Sequence, residues 1–227
     1  MQDNTQLSLL VEEKEMRGKL IILFGIDGSG KSTILKMLKK SGLDNIVCTS
    51  CLKNAVFEEE LYYAEHKLKF SRRDVFSHEF KHVLHIGSVI YNVFEHVVPI
   101  LDNGKNVILD RYVICVKLFA DLFLDPSYNC LSKALDCLPT PDLGIYLDVN
   151  VDTAVQRIGE RSNQTGVPPH YSESRESLLM KKAGYESMIL HEPYPIVKID
   201  ANQSIDKVYD SILELLNDVC ASRDGTC

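Results

Sequence analysis

Five short apolar runs recur along the chain, separated by stretches whose apolar residues fall at helical spacing. Leu20-Ile21-Ile22-Leu23-Phe24 is the first, and its unbroken hydrophobicity predicts a strand buried on both faces. Asn45-Ile46-Val47-Cys48, Asn106-Val107-Ile108-Leu109-Asp110, Leu143-Gly144-Ile145-Tyr146-Leu147-Asp148-Val149 and Pro195-Ile196-Val197-Lys198-Ile199-Asp200 repeat the pattern. Helical spacing covers about 33–40, 54–70, 75–101, 112–124, 128–137, 151–161, 173–190 and 204–219. Leu61, Ala64 and Leu68 share one face of the second of these stretches. Ser41-Gly42 and Asn103-Gly104 act as stops, Gly87 predicts a bend in the long third stretch, and Pro126 breaks the fourth. A polar loop is expected over 162–170, with Gly166 and Pro168-Pro169. Strands alternating with helices predict an α/β fold, a parallel sheet with helices on both faces. In such sheets ligands bind beyond the carboxyl ends of the strands.

The turn after the first strand fixes what kind of ligand to expect there. It reads Gly25-Ile26-Asp27-Gly28-Ser29-Gly30-Lys31-Ser32-Thr33, with a strand before it and a helix after it. Gly25, Gly28 and Gly30 permit the backbone to turn its N–H groups toward phosphate oxygens at the positive end of the helix dipole. Lys31 supplies a point charge for β- and γ-phosphates, and the Ser32 hydroxyl is a Mg²⁺ ligand in such loops. The loop therefore predicts binding of a nucleoside triphosphate.

Length and composition narrow the rest. The 227 residues suit one α/β domain over 18–220, with an N-terminal extension over 1–17 and a tail over 221–227. A net charge of −7 and the lack of a basic run argue against a nucleic-acid binder. No apolar run is expected to reach membrane-spanning length, and the first residues lack a signal-peptide pattern, which together predict a soluble cytoplasmic protein. Seven cysteines, an odd number, read as free thiols, the Cys48-Thr49-Ser50-Cys51 pair included.

Two further clusters point at the same cleft. Asp110 ends an apolar strand and Arg111 follows it, placing a carboxylate for Mg²⁺ beside a guanidinium for phosphate oxygens. Arg157 and Arg161 lie one helical turn apart just before the polar loop, which reads as a lid over about 157–172. His78, His82 and His85 share one helix face and read as a wet or pocket-lining surface rather than a metal site.

The ordered set of the phosphate loop, Asp110-Arg111-Tyr112-Val113, Pro141-Asp142-Leu143-Gly144-Ile145-Tyr146-Leu147-Asp148-Val149 and Asp200-Ala201-Asn202-Gln203-Ser204 resembles thymidylate kinases. The resemblance implies an ATP-dependent phosphotransferase with a five-stranded parallel sheet, Mg²⁺, an arginine-bearing lid and a homodimer formed through the long helices. By position it implies that Lys31, Ser32 and Arg111 handle phosphates and that Asp27 approaches the acceptor sugar. Asp110 would sit by metal and acceptor phosphate, Arg157 and Asn202-Gln203 by the adenine, and Arg161 in the lid. The acceptor half departs from the family. Thr49-Ser50-Cys51-Leu52-Lys53-Asn54 stands where the family has Thr-Arg-Glu-Pro-Gly-Gly, and Val89-Ile90 where it has an acceptor-binding arginine. Cys115-Val116 and Phe119-Ala120 replace its Ser-Ser and Tyr-Gln, and the lid lacks its acid-arginine pattern around His170-Tyr171. Two acceptors therefore stay open: a nucleoside monophosphate other than plain thymidylate, or a hydroxyl of a nucleoside or another small metabolite. A non-catalytic nucleotide-binding protein is the remaining alternative.

Overall fold

The computed structural model describes residues 17–43, 45–51, 63, 66–67, 69 and 76–221. The expected helix over 54–70 therefore lies largely outside the described residues, as do residues 1–16 of the extension and 222–227 of the tail. Strands β1 (Leu20–Phe24), β2 (Ile46–Ser50), β3 (Asn106–Asp110), β4 (Leu143–Asp148) and β5 (Ile196–Asp200) form one sheet in the order β2-β3-β1-β4-β5. Every neighbouring pair is parallel. The central strands β1 and β3 are buried at every position, as their unbroken apolar runs require. Helix α1 (Lys31–Ser41) follows β1, and Gly42 ends it with φ 61°.

The long stretch after β2 becomes α2 (His78–Asn92), a π-helical turn over Val93–Val97, and α3 (Val98–Asp102). The expected bend at Gly87 does not occur; the irregularity sits where Pro99 removes a backbone donor and the ladder widens to five residues, Val98 N–H reaching Val93 O. Together His78–Asp102 make a 25-residue helix long and apolar enough to cross a membrane by length and composition, which corrects the expectation of no such run. In this fold Ile86, Val89, Val93, Val97 and Leu101 from it join the core.

Three boundaries also shift. Strand β2 begins at Ile46, after Asn45 in a left-handed turn at φ 66°, and runs on to Ser50. The segment Pro126–Cys137 is a 3₁₀ helix whose start is capped by the Asp125 side chain, so Pro126 opens a helix as well as closing α4 (Val113–Phe123). Helix α5 (Val151–Thr165) takes in the start of the expected polar loop and stops at Gly166, φ 69°. A short 3₁₀ turn (Tyr171–Glu173), α6 (Arg175–Ile189) and α7 (Ile205–Ala221) follow among the described residues.

Two features of the packing set up the cleft. Phe24, Tyr146 and Tyr185 form a ring cluster with centroids 5.3–5.9 Å apart, fixing α6 against β1 and β4. At Gly184 a Cβ would stand 2.3 Å from Leu118 Cδ1, so α6 approaches α4 as closely as only a glycine permits.

Candidate active site

Asp110, at the carboxyl end of β3, and the loop 25–32 after β1 lie on neighbouring strands, because β1 and β3 pair directly. Gly28 has φ 81°, and a Cβ there would lie 2.7 Å from Ala154 O, so the loop is pressed against the start of α5. Two adjoining cavities flank it. The first, of about 660 Å³, is walled by Asp27, Gly28, Gly30, Lys31, Ser32, Thr33, Asp110, Arg111, Arg157 and Arg161, with Ile205 and Gln164 at its edge. The second, of about 300 Å³, is polar around Asp27, Arg111, Lys81, His85 and Lys181, and apolar around Phe119 and Phe123. Asp27 and Arg111 belong to both.

Lys31 is folded back into the loop: its Nζ donates to Gly25 O at 2.9 Å, Ile26 O at 2.8 Å and Ser29 Oγ at 3.2 Å. Burial, and then the charge of Arg111, pull its pKa down to about 8, against the opposing pull of Asp27 and Asp110. The sign has two consequences. A lysine whose folded pKa lies below its unfolded 10.5 adds to stability as pH rises through that window, since the unfolded chain holds more protons there. And at pH 8 about half of the empty protein lacks this proton, so a polyanion that restores it must draw one from solution. Calorimetry of ATP binding at pH 8 in buffers of different ionisation enthalpy should show net uptake of up to about half a proton per site, falling toward zero at pH 6.5. Equal heats in all buffers at pH 8 would contradict it.

Asp27 accepts from Arg111 Nη2 on Oδ1 at 2.9 Å and from Lys181 Nζ on Oδ2 at 2.7 Å. Burial alone would raise its pKa, but Arg111, Lys181 and Lys31 outweigh burial and hold the carboxyl well below its usual range. Arg111 stands in the left-handed region at φ 66°. Its N–H bonds Leu23 O at 3.0 Å, and its carbonyl accepts from Cys51 Sγ at 3.2 Å, so both neighbouring strands hold the residue in that conformation. Asp110 is 7% exposed, and its Oδ1 is buried with no hydrogen-bond partner. Asp110 and Ser32 both wall the larger cavity, and a carboxylate with a hydroxyl is the kind of donor set that a hard divalent cation prefers.

The other expected residues divide. Arg157 walls the larger cavity, anchored on Ala201 O at 2.9 Å and Gly28 O at 3.4 Å. Arg161 reaches the same cavity but is gripped by Glu173 at 2.7 Å, an acid-arginine pair that ties α5 to the lid turn. Asn202 and Gln203 do not wall the cavity; Ile205 does. The Asn202 side-chain Oδ1 instead accepts from Asn150 N–H at 2.9 Å, and Gln203 presents its backbone oxygen to Arg157 at 3.5 Å. Gly25 lines the smaller cavity, and Ser29 is buried in the loop as an acceptor for Lys31.

Of the histidine face, His85 lines the smaller cavity; His82 is fully buried against Ser132 and the Phe119 ring. Among the described residues no cluster of His, Cys, Asp and Glu could hold a metal ion. Cys48 and Cys51 are free thiols, Cys51 buried under the Asp110-Arg111 turn. Val89, at the position expected to lack an acceptor-side cation, lies in the core, while Lys81 and His85, one turn apart on the same helix, face the smaller cavity.

Sequence reasoning missed Lys181 altogether. Its signal was available: Leu178 and Tyr185 mark the buried face of α6, and Lys181 falls on that face at i+3. A lysine on a core-facing stripe needs a partner, and here the partner is Asp27.

The family model described as thymidylate kinase matches residues 24–212. Thymidylate kinase of Brachyspira hyodysenteriae is 31% identical over 212 residues, covering 89% of this chain and 95% of that one. The enzyme of Ligilactobacillus salivarius is 28% identical over 210 residues, covering 89% and 99%. Among solved structures, thymidylate kinase from Candida albicans superposes with a TM-score of 0.65 at 21% identity, covering 91% of this chain and 94% of that one. That from Ehrlichia chaffeensis gives 0.62 at 17%, covering 88% and 99%. With the phosphate loop, the parallel sheet and the Asp27–Arg111 junction all in place, this chain belongs to the thymidylate kinase family, the ATP-dependent nucleoside monophosphate kinases.

Proposed function

We propose that this protein transfers the γ-phosphoryl of ATP to the phosphate of a pyrimidine nucleoside monophosphate, with the triphosphate in the larger cavity and the acceptor in the smaller. The observation that carries this reading is the shared wall: Asp27 and Arg111 border both cavities, so a phosphoryl group can pass between them without leaving cationic surroundings. Lys31 exchanges its loop carbonyls for phosphate oxygens as the triphosphate enters, and the loop N–H groups hold the β-phosphate. Arg111 neutralises charge on the migrating group, and Arg161, once released from Glu173, adds a second guanidinium from the lid. Ser32 and Asp110 are the residues that would hold Mg²⁺, which when bound supplies charge neutralisation at the phosphates. The base lies against Phe119, whose ring is packed among His78, His82 and His85, with Lys81 near its edge.

Cation count separates phosphate from hydroxyl acceptors. Arg111 and Lys181 both border the smaller cavity, which is the charge an acceptor phosphate requires and a neutral nucleoside does not. The test is ADP release with ATP and Mg²⁺ over a panel of nucleoside monophosphates and the matching nucleosides, with Lys31→Ala protein as the baseline. At least one pyrimidine monophosphate should raise ADP release about 100-fold above that baseline. Stimulation by nucleosides alone would move the reading to a hydroxyl kinase, and no stimulation by any acceptor would make it a nucleotide-binding protein.

A further inference from the structure

The smaller cavity holds a second cation that no motif announces. Lys181 Nζ donates to Asp27 Oδ2 at 2.7 Å and to Ser172 O at 2.7 Å. These partners come from different parts of the fold: Asp27 from the phosphate loop, and Ser172 from the 3₁₀ turn that ends the lid. The side chain is 16% exposed and lines the cavity beside Arg111. Two of the three ammonium donors are engaged by these bonds.

Asp27 is thus held across its two oxygens by a guanidinium and an ammonium. A trigonal carboxylate so gripped has the charge and the paired oxygens of one face of a phosphate. An anionic phosphate entering the cavity meets the same two donors already oriented, because Phe24, Tyr146 and Tyr185 fix α6 and the two strands fix Arg111. The lid enters through Ser172, since any shift of the ammonium toward the cavity either carries that carbonyl or releases it.

We propose that Lys181 is an acceptor-binding residue, the partner of Arg111 for the acceptor phosphate, and that its bond to Ser172 couples occupancy of that site to the position of the lid. This rests on the reading of the acceptor as a monophosphate. The alternative is that Lys181 merely neutralises Asp27.

Steady-state kinetics separate the two, using the full chain with ATP, Mg²⁺ and the best monophosphate of the panel. Lys181→Met should raise the KM for that monophosphate about 30-fold or more, while the KM for ATP stays within about twofold. Lys181→Arg should return to within about fivefold of the unmodified protein, since the donor and charge are kept. Calorimetric titration of the same monophosphate reads the loss of affinity without turnover and serves Lys181→Gln as well, should Lys181→Met fold poorly. An acceptor KM within twofold of the unmodified protein in Lys181→Met, or one as high in Lys181→Arg as in Lys181→Met, overturns the proposal. Failure of the unmodified protein to use or bind any monophosphate instead overturns the reading beneath it.

Discussion

Replacing Lys31 with alanine is expected to lower kcat about 1,000-fold, or about 4 kcal/mol of transition-state stabilisation, while the melting temperature does not fall. The two halves of that expectation come from the same geometry. In the empty protein the ammonium is buried and its pKa is pulled down to about 8, first by burial and then by Arg111. A charged group so placed is held against its own preference, and removing it relieves the fold. Gly25 O, Ile26 O and Ser29 Oγ lose a donor, which offsets part of the gain. When phosphates enter, the balance reverses: the ammonium meets anions in a site where water is scarce, and its attraction grows as charge shifts onto the leaving oxygens. Thermal unfolding by calorimetry beside ADP-release kinetics checks both halves. A variant that melts many degrees lower would show Lys31 to be a structural residue first, and a kcat within tenfold would remove it from the chemistry.

How far the sequence foretold the site follows from where each residue's partners lie. The loop and Asp110-Arg111 were legible because their roles depend on strand–turn–helix context, and apolar runs announce that context locally. The five strands were legible for the same reason, although β2 extends past its expected end because its later residues pair with Leu109 and Asp110 on β3. The π turn at Val93–Val97 was not: Gly87 is the weaker helix former, but Pro99 removes an obligatory hydrogen bond and its effect falls several residues upstream. The partners of the Asn202 side chain, Asn150 and Asp200, follow from turn geometry that a local pattern does not display. The face of Lys181 is legible from Leu178 and Tyr185, but its partner is not, because Asp27 lies 154 positions away in the chain.

Arg111 brings conformation and charge to one position, and two substitutions pull them apart. Its φ of 66° lies where side chains other than glycine are strained by about 1 kcal/mol. Arg111→Ala keeps most of that strain and leaves Asp27, 18% exposed, with Lys181 as its remaining ion-pair partner. Arg111→Gly loses the same cation but relaxes the backbone. Glycine also enlarges the conformational freedom of the unfolded chain, which takes back part of the relief. Both variants should be less stable than the unmodified protein by about 2 kcal/mol, with Arg111→Gly above Arg111→Ala by about 0.5 kcal/mol. Activity should not follow that order. Both should lose about 1,000-fold or more in kcat/KM for the acceptor, because the guanidinium that borders both cavities is gone whatever the backbone does. Urea denaturation ranks the stabilities and initial rates at subsaturating acceptor rank the activities. If Arg111→Gly regained activity along with stability, the strained turn rather than the guanidinium would be the functional element. If the two variants were equally stable, the surrounding bonds to Leu23 and Cys51, not the side chain's own preference, would set the backbone energy here.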